Sequence, residues 1–428
     1  MSEHATGAAE PTDADRARAL IAAGDVGGAL NHLRRTADTI DSADLAHVTE
    51  ALAQRVQYLE LVIHASVLMA YPGNAEALYK FGCACNDHNA PFLAIPALRE
   101  ALRMYPDAEN VRGELVAAYQ QEYRYAEAVA VLTEYEAELP EWPEGYSLAY
   151  NTLLTGDIEG AAARYARMSP PEDPQWQHLD DRLRSALGNV GAARAVGPLD
   201  DRDLRGWHFV LTGGVLATLS PYGSGAGESG RWIRLRDDYA MCLHGLRRLR
   251  LVPAATGRAP TTVSLLSDRD SHILGLPALP FAPGRRDTVV VAYDLNTVGR
   301  PTLRAVYDRA PEQILFEHAT CWSEPSPIAP DLSTLLVQSV VAPWGERPRR
   351  GGDGVERIAA DERAVEEVAR DIVAAGPYDA SGDGTTAPDP DETLTAFATA
   401  IAPHWLTGTR DRPAAPGPVR ANREFLVG

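Results

Sequence analysis

The sequence predicts an α-solenoid of stacked helical hairpins followed by an α/β domain with a mostly parallel sheet. Three observations carry this reading. Prolines fall at Pro72, Pro106, Pro140 and Pro174, each 34 residues after the last, where one helix pair must end and the next begin. Within that period large and small apolar residues recur at helical spacing. From about residue 198 the composition shifts to short apolar runs alternating with amphipathic stretches, the order expected of a buried, mostly parallel sheet.

The repeat half comes first. Between Pro72 and Pro106 the chain carries Leu78, Phe81, Gly82, Ala94, Leu98 and Ala101; the next unit has Leu115, Tyr119, Ala128 and Leu132, and the third Tyr146, Ala162 and Ala166. Small residues let the two helices of a hairpin approach, and large ones fill the space between hairpins. This pattern resembles the tetratricopeptide repeat. Upstream, ALIAAGDVGGALNHL (19–33) echoes NTLLTGDIEGAAARY (151–165), with a Gly-Asp turn between two helices in each. Residues 14–70 read as irregular or capping repeats and 175–196 as the closing helices, so the repeat domain spans 14–197 after a disordered 1–13.

Such a stack implies a concave face that binds an extended peptide or a helix, and Tyr79, Tyr119 and Tyr123 are candidates to line it. Cys83 and Cys85, with His88 nearby, do not form a metal site on a helix, because positions two apart point to nearly opposite sides.

In the second half, residues 207–220 (WHFVLTGGVLATLS) read as two strands around Gly213-Gly214, a hairpin. A glycine-rich loop, 220–230, and a helix, 237–251, follow. Strands are expected at 261–267, 288–293, 313–318 and 335–342, and helical segments at 271–276, 302–308 and 361–375, giving an α/β domain over 198–375. Residues 376–390 have the composition of a flexible linker, 391–402 that of a short helix, and the Pro/Arg-rich tail from 407 that of a disordered segment.

Composition sets limits on function. The net charge of −19 disfavours nucleic-acid partners. No apolar run is long enough for a membrane span, and the polar start lacks a secretory signal, so a cytoplasmic protein with four reduced cysteines is expected. Of 40 basic residues only Lys80 is a lysine, and no phosphate-loop pattern surrounds it, which excludes a P-loop and a lysine Schiff base. The Arg, Ala, Gly and Pro bias fits a GC-rich bacterial genome.

Residues 289–303, VVVAYDLNTVGRPTL, supply the main chemical candidate. The segment resembles the ribose-phosphate loop of type I phosphoribosyltransferases: an apolar strand, acids, then Thr and Gly before a helix. The resemblance implies that Asp294 holds ribose hydroxyls and that Asn296, Thr297 and Gly299 lie in the loop whose backbone amides hold a 5-phosphate. Such a sugar-phosphate site would bring Mg²⁺ with it; no other cofactor is legible. The chain departs from the family pattern where Tyr293 replaces the first acid, Val298 the second threonine, and Arg300-Pro301 lengthens the turn.

Arg231, Arg234 and Arg236, after the glycine-rich loop, are candidates to clamp a phosphate or carboxylate beneath a lid. Asp268, Asp270 and His272 follow a strand end and suit acid–base work or a divalent ion, with an N-cap role for one aspartate as the alternative. His318 and Cys321 suggest a nucleophile pair, against a cysteine packed at a sheet edge. Two function classes follow. One is an adaptor whose repeats recruit a partner protein or peptide, coupled to an α/β ligand-binding or regulatory domain. The other is a transferase acting on a phosphorylated sugar or nucleotide, with the repeats presenting a protein or peptide substrate.

Overall fold

The computed structural model describes residues 10–222, 229–278, 288–351, 354–411, 415–421 and 423–425. The chain divides into two compact units, Met1–Thr152 with Glu424–Gly428, and Leu153–Arg423.

The first unit is helical. α1 (Asp13–Ala22) opens under a capping box between Thr12 and Asp15. The Gly-Asp turn leads into α2 (Val26–Thr36): Gly24 takes φ +82°, and Asp25 accepts the amide of Gly28 at 2.8 Å. Then come α3 (Ser42–Val56), α4 (Leu59–Ala70), α5 (Ala75–Asp87), α6 (Pro91–Met104), α7 (Glu109–Gln121), α8 (Tyr125–Thr133) and α9 (Tyr146–Leu154), within which the first unit ends at Thr152.

From α5 to α8 the packing is that of stacked hairpins: α5 lies along α6, α6 along α7, α7 along α8, and α5 also meets α7. Gly82 is the residue that permits this, since a Cβ there would sit 2.5 Å from Leu98 Cγ on α6. The earlier helices also pair, α1 with α2 and α3 with α4. α4 lies against α5, but α2 and α3 both reach α6.

The hairpin region ends earlier than residue 197. α10 (Ile158–Tyr165) and α11 (Gln177–Arg194) belong to the second unit, where α11 buries Leu183, Ala186, Val190 and Ala193 and packs on α12 (Leu204–Thr212). The echo of the first Gly-Asp turn at 156–157 is nonetheless real. Asp157 accepts the amide of Gly160 at 2.8 Å, and in both copies a Cβ at the third helical position would lie about 2 Å from the capping carboxylate.

The second unit centres on a parallel sheet of β1 (Val215–Leu216), β2 (Trp232–Arg236), β3 (Thr262–Leu265), β4 (Thr288–Ala292), β5 (Ile314–Cys321) and β6 (Leu332–Val341). The order is β1-β6-β5-β4-β3, with β2 also on β6. β1 meets β6 at Leu332–Ser333 and β2 meets it at Val337–Val341, so the edge strand is interrupted. α13 (Tyr239–Ala255) packs on β5 and β6, and α14 (Arg269–Gly275) on β3 and β4. α15 (Arg300–Tyr307) buries Val306 with Val290, Ala292 and Leu315 in a separate cluster. A hairpin, β7 (Arg347–Gly351) with β8 (Gly354–Ile358), precedes α16 (Val365–Ala374) and α17 (Asp391–Ile401).

Three expectations need correction. Residues 207–212 are helix, not strand: Asp203 caps α12 through Gly206 at 2.8 Å, and Gly213 ends it at φ +71°. All nine residues of α12 are buried, and an apolar run buried on every side has no period to distinguish helix from strand.

Residues 376–390 are not a free linker. Asp389 is bound by Arg205 (2.8 Å) and Arg248 (2.8 Å), both buried. The tail from 407 is anchored as well. Buried Arg410 pairs with Asp331 at 2.7 Å, Val419 is buried, and Trp405 donates its indole N–H to the carbonyl of Asp331 at 2.9 Å.

Candidate functional site

Parallel strands bring their C-terminal ends to one edge of a sheet, and here that edge collects acids. Asp237 follows β2, Asp268 and Asp270 follow β3, and Asp294 follows β4. Asp268 caps α14, its Oδ1 accepting the amide of Ser271 at 2.9 Å; its Oδ2 is buried and meets no donor among the described residues. Asp270 accepts the indole N–H of Trp344 at 2.7 Å. Burial raises the Asp294 carboxyl above its ordinary range, and the charges of Asp270 and Asp268 add to the shift. His272 is half-buried on α14.

The 294–299 loop is a closed turn. Asp294 Oδ1 accepts the amide of Asn296 at 2.8 Å, and its carbonyl accepts from the Thr297 amide (3.2 Å) and hydroxyl (2.8 Å). The Val298 amide donates to Leu295, and Pro301 has no N–H to offer at the start of α15. Asn296, Thr297 and Gly299 are exposed.

The arginine candidates lie elsewhere. Arg231 is buried and donates to the carbonyls of Pro416 (3.3 Å) and Arg420 (2.9 Å), so it holds the tail rather than waiting for a ligand. Arg234 and Arg236 are exposed on β2, three strands from β4 in the sheet order. Most of the proposed lid, 223–228, lies outside the described residues.

Behind the acidic edge sits a buried knot that the sequence reading missed. Asp237 Oδ2 accepts from the Tyr293 hydroxyl (2.8 Å), faces His318 Nε2 at 3.1 Å and accepts from the Cys242 thiol (3.3 Å). Burial pushes the Cys242 thiol and the Tyr293 phenol well above their ordinary values, and the Asp237 charge pushes them further in the same direction. Both therefore stay protonated donors. Gly245 admits α13 to this spot: a Cβ there would lie 2.8 Å from His318 Nδ1 and 2.7 Å from Thr334 Oγ1.

Asp237, Cys242 and His318 form the one convergent group of three His, Cys or acidic donors among the described residues, and their ligand atoms lie within 4.8 Å of one another. Sulfur, imidazole and carboxylate are a donor set a zinc-like ion accepts. With the Cys242 thiol and the Tyr293 phenol both donating to one Asp237 oxygen and His318 Nε2 beside it, the group instead ties the end of β2 and the start of α13 to β4 and β5. The suggested His318–Cys321 pair is not formed. His318 is engaged with Asp237, and Cys321 lies 3.6 Å from Ser323 Oγ and from the Gln338 carbonyl.

Glu317 is the second missed residue. It is fully buried in β5, accepts from the Leu295 amide (2.6 Å) and the Thr320 hydroxyl (2.6 Å), and burial lifts its carboxyl to about 8. The signal was present: ILFEHATC sets Glu317 and His318 side by side inside an apolar strand.

In the helical unit, Tyr119 is a core residue under the Arg124 guanidinium, 4.9 Å from its carbon to the ring, and lines no groove. Tyr123 sits half-buried in the α7–α8 turn. Tyr79 is half-buried on α5; on the next turns of that helix, Asn86 donates to Glu114 of α7 at 2.9 Å. Beside α5, α4 presents an apolar stripe: Leu59, Ile63 and Val67 are 71%, 52% and 41% exposed, with Tyr58 stacked on His88 at 4.5 Å.

No family model matches the sequence, and no curated protein matches it.

Proposed function

We propose that the chain is an adaptor. Its helical unit, a tetratricopeptide-like stack, recruits a partner protein, and its α/β unit is a ligand-binding or regulatory module. The α4 stripe is the observation that carries this reading. Three large apolar residues at i, i+4 and i+8 sit in water on a helix whose other face is in the core. Exposed Glu60 lies on the same helix, Glu76 on α5 is paired with Lys80 at 2.8 Å, and the chain as a whole is acidic. The partner segment therefore has an apolar stripe bordered by basic residues, laid against α4 and α5 near Tyr79.

The test is affinity capture with the full chain carrying Ile63→Asp, which alters an exposed position and leaves the core intact. Loss of a discrete partner held by the wild-type chain supports the assignment. Equal capture by both proteins overturns it.

For the α/β unit, ligand sensing is favoured over phosphoribosyl or glycosyl transfer. The amides at 297 and 298 are spent in a turn, and Arg231 is spent on the tail. The sheet edge at Asp268 and Asp294 remains the place where a phosphorylated ligand would lie, with Mg²⁺ carried on the ligand's own phosphate rather than on a converged set of carboxylates. Calorimetric titration of the full chain with ribose 5-phosphate and Mg²⁺ checks this, and binding that survives Asp294→Ala removes the loop from consideration.

A further inference from the structure

The last described residue of the chain is seated on the helical unit as a ligand is seated. Asn31 on α2 uses its whole carboxamide on the Phe425 backbone: Nδ2 donates to the Phe425 carbonyl at 2.9 Å, and Oδ1 accepts the Phe425 amide at 2.8 Å. Three residues on, Arg34 places its guanidinium carbon 4.2 Å from the centre of the Phe425 ring. The same guanidinium lies 5.0 Å from the ring of Phe92 on α6, and the Phe92 and Phe425 rings meet edge to face at 5.7 Å. Arg34 is itself held by Glu122 at 3.0 Å, with both side chains mostly buried. The notch is thus built from α2, α6 and the end of α7, and all its walls belong to one compact unit.

Its chemistry is selective in a particular way. A carboxamide that pairs with both the N–H and the C=O of one residue reads an extended backbone and ignores the side chain. The guanidinium and the Phe92 edge read an aromatic ring and little else. Two residues upstream Arg423 pairs with Glu324 at 3.2 Å, while Phe425 itself stays half-buried.

We infer that Asn31, Arg34 and Phe92 form a peptide-recognition site for an aromatic residue on an extended strand, and that Phe425 is its resident, displaceable occupant. A partner segment carrying Phe, Tyr or Trp in an extended run competes with the chain's own Phe425. Phe425 therefore occupies the position the partner's aromatic residue would take. Only the role of that competitor rests on the adaptor reading; the site stands on its own contacts.

The closing experiment uses a fluorescent peptide of residues 415–428 and measures its anisotropy against three full-length proteins and one shortened chain. The shortened chain ends at Arg423 and so leaves the notch open; Phe425→Ala in the full chain opens it independently. Both should bind the peptide saturably. The wild-type chain should bind at least about tenfold more weakly, because a tethered occupant acts at a local concentration on the order of millimolar. Asn31→Ala combined with Phe425→Ala should abolish binding. In the peptide, Phe425→Trp should be tolerated and Phe425→Ala should not. No binding to either opened chain, or binding indifferent to Asn31, overturns the inference. A failure here with Ile63-dependent capture intact rejects the notch alone. Peptide binding without any Ile63-dependent partner rejects the α4 surface instead.

Discussion

The two units hold the same C-terminal segment by opposite means. In the α/β unit, Arg410 is buried against Asp331, Val306 and Gln313, and Arg231 is buried against tail carbonyls. In the helical unit, Phe425 is held by a neutral carboxamide and the face of its ring. A buried charge cannot leave without stranding its partner, at a cost of several kcal/mol. A ring and two neutral hydrogen bonds release for about 1–3 kcal/mol, because water replaces most of what is lost. The first attachment belongs to the fold, and the second can exchange.

The comparison breaks most visibly at Asp389. Asp389→Ala leaves Arg205 and Arg248 buried without their shared carboxylate and should destabilise the α/β unit by about 3–5 kcal/mol in urea unfolding. A loss below about 1 kcal/mol would mean that water reaches these arginines and that the segment is the loose linker its composition suggests.

Glu317 gives the next effect, and its sign is definite. Its folded-state carboxyl is raised from 4.5 to about 8, so the folded protein keeps a proton that the unfolded chain gives up. The associated stability is fully present below about 4.5 and drains away as pH rises towards 8, with a total on the order of 4 kcal/mol. Glu317→Gln should flatten this decline and stabilise the protein at pH 8 by about 2 kcal/mol. An unchanged pH profile of the melting temperature would show Glu317 ionised in the fold.

Gly82→Ala should cost about 1–3 kcal/mol, since its Cβ meets Leu98 on the facing helix. The smallest effect belongs to Phe425→Ala. It should lower the stability of the helical unit by about 1 kcal/mol and leave the unfolding of the α/β unit unchanged. A loss as large as that at Asp389 would make the tail a permanent strap in both units.

How much of this was legible follows from what each residue faces. The hairpin stack over 75–133, the strands at 262–265, 288–292, 314–321 and 332–341, and the closing helices at 365–374 and 391–401 all follow from residues with one wet and one buried side, or from apolar runs of strand length. The errors fall where burial is complete or contacts are distant. Residues 204–212 carry no period because no side is wet. Asp389, Arg410 and Phe425 look like solvated linker and tail residues until partners 394 residues away, in the case of Asn31, come into reach. The Asp237–Tyr293–His318 knot draws one residue from each of three strand regions, and no local spacing announces it. That one aspartate of 268–272 caps a helix was readable because the reason is local, and Gly82 was readable from the repeat spacing.

The central claim, that the helical unit is the part that meets a partner, is tested most directly by photocrosslinking. A photoreactive residue replaces Tyr79 on α5 in the full chain, with a matched replacement at exposed Tyr307 on α15 as the control. Irradiation in the cells that make the protein should give a discrete adduct from position 79, lost with Ile63→Asp, and none from position 307. Adducts from 307 alone, or equally from both, would contradict the account and move the interaction to the α/β unit.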